Sequence, residues 1–143
     1  VLNPENTPGR LTLIHRFGAE KINGKLPLLA DTVRRANLNV LWSCDPMHGN
    51  TQATRNGFKT RSFDEITSEI ITSFRIHKDC GTRLSGIHLE LTGEDVTECV
   101  GGPANLTESD LPRDYRSQVD PSLNYEQAME IAFLLSEQTR SAT

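Results

Sequence analysis

"NVLWSCDPMHGN", residues Asn39 to Asn50, changes character at Asp45. Its first half is a short apolar run with the composition of a buried strand. Asp45-Pro46 ends that run, because proline has no N–H to give a sheet ladder and Asx-Pro favours a turn. Within a few residues of the stop come a thiol (Cys44), a carboxylate (Asp45), an imidazole (His48) and a carboxamide (Asn50). A strand that opens straight into groups able to hold metals and move protons marks the rim of an active site.

Outward from this run the chain alternates. Upstream, "RLTLIHRF" (Arg10 to Phe17) reads as a first strand, and Pro27 suits the first turn of a helix, where its missing N–H costs nothing. Leu29, Val33 and Ala36 follow at helical spacing, and the helix is expected to end near Asn37. Downstream, Ser62 and Glu65 have capping-box spacing ahead of an Ile66, Ile70, Phe74 stripe, with Gly81 as the stop. "GIHLEL" (Gly86 to Leu91) reads as a third strand, and Asn124 with Gln127 opens a last helix presenting Ala128, Ile131 and Leu135. No repeat or low-complexity tract interrupts the series.

Strand, helix, strand, helix, strand, long loop, helix predicts an α/β fold with parallel strands and helices packed outside. Three units cannot close a barrel, which needs eight and about 250 residues. An open doubly wound sheet also wants more strands. Two readings stay open: a small α/β domain over residues 1–143, or the last three βα units of a (β/α)8 barrel.

The totals narrow the function. A chain of 143 residues that is 36% apolar and 24% charged fits one globular domain. A net charge of -4 gives no basic footprint for nucleic acid. No run is long and apolar enough to span a membrane, and no signal-peptide pattern is visible. Three cysteines without paired spacing favour reduced thiols and a cytosolic or organellar setting. The opening "VLNPENTPGR" reads as a loop and predicts that the segment begins inside a longer protein.

All three strands place ionisable groups at their C-terminal ends, where α/β folds bind ligands. Arg16 ends the first, Asp45 and His48 follow the second, and Glu90 ends the third, opposite in direction to Ile87, Leu89 and Leu91. A carboxylate on an otherwise apolar strand needs a partner or a metal. An imidazole with carboxylates suits a borderline divalent ion such as Mn²⁺, Co²⁺, Fe²⁺ or Zn²⁺. Serine-nucleophile, P-loop and H-E-x-x-H signatures are missing. Cys44 and Cys99 lack a defined base and read as supporting or core thiols.

"LWSCDPMHGNT", "GFKTRSFDEI", "GIHLELTGEDVTECVGG" and the later Asp120-Pro121 together resemble class II (plant-type) 3-deoxy-D-arabino-heptulosonate 7-phosphate (DAHP) synthase. The resemblance runs from about Arg10 to the last helix and covers the C-terminal part of that family's catalytic barrel. It implies condensation of phosphoenolpyruvate with erythrose 4-phosphate, the first step of the shikimate pathway. It also implies a divalent metal, Mn²⁺ or Co²⁺, held by a Cys, a His, a Glu and an Asp. By motif these are His48, Glu90 and Asp120, with the Cys on the missing N-terminal portion rather than at Cys44 or Cys99. Arg16 matches an arginine that grips the phosphoenolpyruvate phosphate.

Lys59 and Arg61 are candidates for a sugar phosphate without a firm role. Asp45 or a metal-bound water are candidate bases, and the glycines of "MHGN" and "LTGE" are expected at close backbone approaches. The resemblance further implies a homo-oligomer in the cytoplasm, or in a plastid if the source is a plant. The alternatives are a non-catalytic half-barrel that completes another chain and a metal-dependent hydrolase on a similar barrel. The latter explains a metal but not the phosphate-binding arginine.

Overall fold

The computed structural model describes residues 2–140. The element order is β1 (Thr12–His15), α1 (Ile22–Arg35), β2 (Leu41–Cys44), β3 (Thr51–Ala53), β4 (Lys59–Arg61), α2 (Phe63–Asp79), β5 (Leu84–Ile87) and α3 (Tyr125–Arg140). Strands β1, β2 and β5 form one parallel sheet in that order, and β3 pairs with β4 as a small antiparallel hairpin. The fold is mixed α/β around a parallel sheet, as the alternation predicts. The hairpin was not foreseen. Among the described residues no helix is long and apolar enough to cross a membrane.

Three boundaries correct the sequence reading. Helix α1 begins at Ile22, so Pro27 lies inside it rather than in its first turn. The extra turn forms because Ile22 and Leu26, both fully buried, share one face with Ala30 and Val33. Ala36, expected on that face, is instead the exposed C-cap, and Asn37 takes the left-handed conformation (φ 52°) that closes many helices. Strand β1 is shorter than Arg10 to Phe17 because the chain turns away after the Asp45 N–H to His15 O bond (2.8 Å). Arg16 therefore lies just past the strand.

Strand β5 begins and ends earlier than Gly86 to Leu91. Its last contact with the sheet is His88 N–H to Cys44 O at 2.8 Å. Beyond that, Leu123 N–H bonds Glu90 O (3.0 Å) and Thr92 N–H bonds Leu123 O (2.9 Å), drawing the chain toward the approach to α3. Ile87 and Leu89 pack on the core as expected, but Leu91 is 51% exposed.

The starts of α2 and α3 agree with the sequence reading. Ser62 Oγ accepts from Glu65 N–H at 3.4 Å. Asn124 and Gln127 cap each other reciprocally, Gln127 N–H to Asn124 Oδ1 at 2.9 Å and Asn124 N–H to Gln127 Oε1 at 3.2 Å. One core cluster joins α1 to the sheet through Ile22, Leu26, Val33, Trp42 and Ile76. The other joins α2 and α3 through Ile66, Ile70, Leu123 and Ile131. The opposite sheet face stays open, with Ile14 51% and Leu41 40% exposed.

Candidate metal and substrate site

The loops after β1, β2 and β5 and the segment before α3 meet at the C-terminal ends of the parallel strands. Asp45, fully buried, organises the loop after β2. Its Oδ1 accepts the backbone N–H groups of Met47 (3.0 Å) and His48 (3.2 Å), folding the chain back as an Asx turn. Its Oδ2 lies 2.7 Å from His48 Nδ1 and 3.3 Å from Arg16 Nε. Burial opposes ionisation of Asp45, but the hydrogen bonds from His48 and Met47 outweigh it and hold the carboxyl below its ordinary range.

That contact fixes the imidazole. With Nδ1–H donated to Asp45, Nε2 keeps its lone pair and faces Glu90 Oε1 at 3.3 Å. Two lone pairs at that distance repel unless a proton or a cation stands between them. One ligand atom each from His48, Glu90 and Asp120 lie within 4.8 Å of one another. Donors about 2.0–2.2 Å from a common ion come within such a distance, and one nitrogen with two carboxylates is a donor set for Mn²⁺, Co²⁺ or Zn²⁺. The trio fits a divalent metal. Among the described residues neither Cys44 nor Cys99 joins it. Burial pushes both thiols up to about 12, which makes them poor nucleophiles.

Two cations brace the carboxylates. Arg61, with no exposed side-chain surface, sits 2.5 Å from Glu90 Oε2 and 3.9 Å from Asp120 Oδ2. It also donates to Thr51 Oγ1 (2.8 Å) and to Pro121 O, while its Nη2 has no hydrogen-bond partner. Lys59, about half exposed, pairs with Asp120 Oδ1 at 3.0 Å, and that hydrogen bond lowers the Asp120 pKa. Lys59 and Arg61 are thus turned toward the carboxylates by the β3–β4 hairpin.

Sequence reasoning missed Glu98. It is buried, and its carboxylate accepts the N–H groups of Arg116 (2.9 Å), Ser117 (2.8 Å) and Ser122 (2.7 Å), folding the loop that carries Asp120. Its only signal was an acidic residue between Thr97 and Cys99 in a stretch otherwise without charge as far as Glu108.

One glycine expectation holds and one does not. A Cβ on Gly49 would lie 2.4 Å from Gly18 N, so the loops after β1 and β2 touch backbone to backbone there. Gly93, in "LTGE", has open space around it.

Residues 1–136 match the class-II DAHP synthetase family. The chain is 47% identical over 139 residues to the phospho-2-dehydro-3-deoxyheptonate aldolase AroG of Mycolicibacterium smegmatis, covering 97% of this chain and 30% of that protein. It is 50% identical over 142 residues to the phospho-2-dehydro-3-deoxyheptonate aldolase of Neurospora crassa (98% and 30%). It is 49% identical over 139 residues to that of Streptomyces coelicolor (97% and 31%). The chain therefore spans about 30% of the length of these relatives.

Proposed function

The chain belongs to the class-II DAHP synthetase family, and from that premise we propose that it forms the C-terminal three βα units of a (β/α)8 catalytic barrel. The open sheet face with Ile14 and Leu41 supports this, since parallel sheets are normally covered on both faces. The remainder of the barrel would supply the cover and a Cys ligand.

The proposed reaction joins phosphoenolpyruvate to erythrose 4-phosphate. The observation that carries it is the convergence of His48, Glu90 and Asp120, from three separate segments, within 4.8 Å. These three would hold a divalent metal, Mn²⁺ or Co²⁺, which as a Lewis acid would polarise the aldehyde of erythrose 4-phosphate. Asp45 keeps the His48 Nε2 lone pair directed inward. Four contacts engage Asp45, which suits it to orient groups rather than to act as the base.

Arg16 offers a half-exposed guanidinium beside the cluster, able to take a phosphate by two N–H groups and hold phosphoenolpyruvate in register. In the reaction C3 of phosphoenolpyruvate bonds to the aldehyde carbon, water adds at C2, and the C2–O bond to phosphate breaks. The enzyme would act in the cytoplasm, or a plastid in a plant, as a homo-oligomer.

The test uses the full-length protein, stripped of metal and reloaded with Mn²⁺ or Co²⁺. Glu90→Ala and Asp120→Ala should each lower both bound metal and DAHP formation, activity by about 100-fold or more. Wild-type metal content and rate in Glu90→Ala would defeat the reading. The barrel proposal has its own check: residues 1–143 alone should associate or aggregate through the open face. A soluble monomer in ultracentrifugation would count against it.

A further inference from the structure

On the helix side of the sheet, behind the proposed catalytic cluster, lies a second donor set that the proposed chemistry does not use. His15 ends β1, Cys44 ends β2 and Glu69 lies in the second turn of α2, with exposures of 2%, 0% and 0%. A ring nitrogen of His15, Sγ of Cys44 and a carboxylate oxygen of Glu69 lie within 4.8 Å of one another.

The contacts around His15 leave one of its ring nitrogens unpartnered. Thr82 Oγ1 lies 2.7 Å from His77 Nδ1 and 3.3 Å from His77 O. His77 Nε2 faces His15 Nε2 at 3.4 Å, so a hydrogen bond there needs the proton on one of the two, and a proton on His15 Nε2 frees the Nδ1 lone pair. His15 Nδ1 is buried and has no hydrogen-bond partner. An orphaned acceptor in a core is costly unless something takes it up.

The other two donors are electron-rich as well. Cys44 Sγ accepts from Ser73 Oγ–H at 3.2 Å, the polarity that supports a thiolate. Glu69 accepts three donors, the N–H groups of Phe17 and Gly18 at 3.1 Å each and Asn50 Nδ2 at 2.7 Å, which support its carboxylate form. The nearby Asp45 carboxylate adds negative potential at all three. Burial opposes the charged forms of all three groups, and His77 opposes charge on His15. The Asp45 field and the donors to Cys44 and Glu69 are therefore what favour a cation. Among the described residues no basic side chain bonds to Cys44 or Glu69.

We propose that His15 Nδ1, Cys44 Sγ and Glu69 form a second divalent-metal site, structural rather than catalytic, with the nitrogen–sulfur–oxygen character that selects Zn²⁺-like ions over Mg²⁺ or Ca²⁺. On loading, the S–H bond breaks, the proton passes to solvent and a metal–sulfur bond forms. Thiolate, carboxylate and dication then sum to zero charge, the condition for burying them together. Donors around a tetrahedral zinc sit about 3.4–3.6 Å apart, so any pair of the three closes in by roughly 1.4 Å at most. The ion would clamp the ends of β1 and β2, whose next residues are Arg16 and Asp45, and so stiffen the wall of the catalytic site.

Co²⁺ is the probe, added to metal-free full-length protein carrying His48→Ala and Glu90→Ala to disable the first site. The expected result is about one Co²⁺ per chain, a near-ultraviolet thiolate-to-cobalt charge-transfer band and a raised melting temperature. Adding Cys44→Ser should abolish the band and the thermal gain. His15→Phe keeps the aromatic packing with Phe17 and Trp42 but removes the ligand, and should weaken Co²⁺ binding by about 10-fold or more. Absence of the band, or a band that survives Cys44→Ser, overturns the site and leaves the trio an ordinary polar core. Circular dichroism of each variant separates loss of metal from loss of fold.

Discussion

Replacing Asp45 with asparagine changes one charge and almost no volume, at a buried position that holds four groups together. In the wild type, Oδ1 takes two backbone N–H groups while Oδ2 faces His48 Nδ1 at 2.7 Å and Arg16 Nε at 3.3 Å. Asparagine has one acceptor oxygen. If that oxygen keeps the backbone amides, its NH2 group points at two N–H donors. The imidazole must then turn or move its proton to Nε2, and either change takes the lone pair away from the metal position.

Loss of a carboxylate that orients a metal-ligating histidine costs about 10–100-fold in metal affinity, or roughly 1.4–2.8 kcal/mol. The assay is competition for Mn²⁺ or Co²⁺ between the full-length protein and a chelator of known affinity. Arg16→Gln is the control, because it also loosens Asp45 but leaves the His48 contact intact. Asp45→Asn should weaken metal binding at least about tenfold more than the control does. Equal effects from the two substitutions would refute the orienting role.

Other outcomes follow from the same geometry, all in the full-length protein. Gly49→Ala sets a Cβ against backbone at 2.4 Å, which no rotamer relieves, and should cost about 1–3 kcal/mol in thermal or urea melts. An unchanged melting temperature would mean that the loops after β1 and β2 do not touch. Arg61→Met removes a buried cation from between two carboxylates and should cost about 3–5 kcal/mol without metal. Added Mn²⁺ should restore a larger part of that loss than it adds to the wild type, and no such difference would count against a shared cation position.

Burial lowers His15 and His77 from 6.5 to about 4, with their mutual repulsion adding for His15. The unfolded chain therefore binds more protons between those values. Metal-free stability should fall as pH drops from about 6.5 toward 4, by an amount of the order of 5 kcal/mol for the pair. His77→Gln should flatten that slope, and a slope it leaves unchanged would assign the effect elsewhere.

Local signals were the legible part of this chain. The capping pairs Ser62–Glu65 and Asn124–Gln127 set helix starts through contacts three residues apart, so spacing alone finds them. Arg16, His48 and Glu90 were recognisable because strand direction puts strand-end residues on one rim. Asp120 was not legible that way. Its position depends on Glu98 gathering backbone N–H groups 18 to 24 residues away, and no periodicity encodes such a contact. The start of α1 was hidden because Pro27 looks like a helix opener. Only the packing of Ile22 and Leu26 against Trp42 and Ile76 shows why the helix tolerates a proline inside it. The β3–β4 hairpin was missed because its strands are three residues each, too short for alternation to register.

The charges at the rim connect this architecture to its proposed chemistry. Asp45, Glu90 and Asp120 face Arg16, Lys59 and Arg61, so the metal-free cluster is close to neutral. A dication among His48, Glu90 and Asp120 would compete with Lys59 and Arg61 for the same carboxylate oxygens. Arg61 is fully buried and anchored by Thr51 and Pro121, so it stays. Lys59 and Arg16, 54% and 53% exposed, are free to turn outward. Loading the metal therefore creates two units of positive excess beside the two half-exposed cations on the open side. That arrangement suits the two phosphorylated substrates of the proposed reaction. It also orders the binding events: phosphate affinity at Arg16 and Lys59 should rise when Mn²⁺ is present, and by linkage phosphate should tighten Mn²⁺ by the same factor. Calorimetric titration of inorganic phosphate with and without Mn²⁺ reads that coupling. Equal affinities in the two titrations would mean that the carboxylates, not the metal, set the charge of the site.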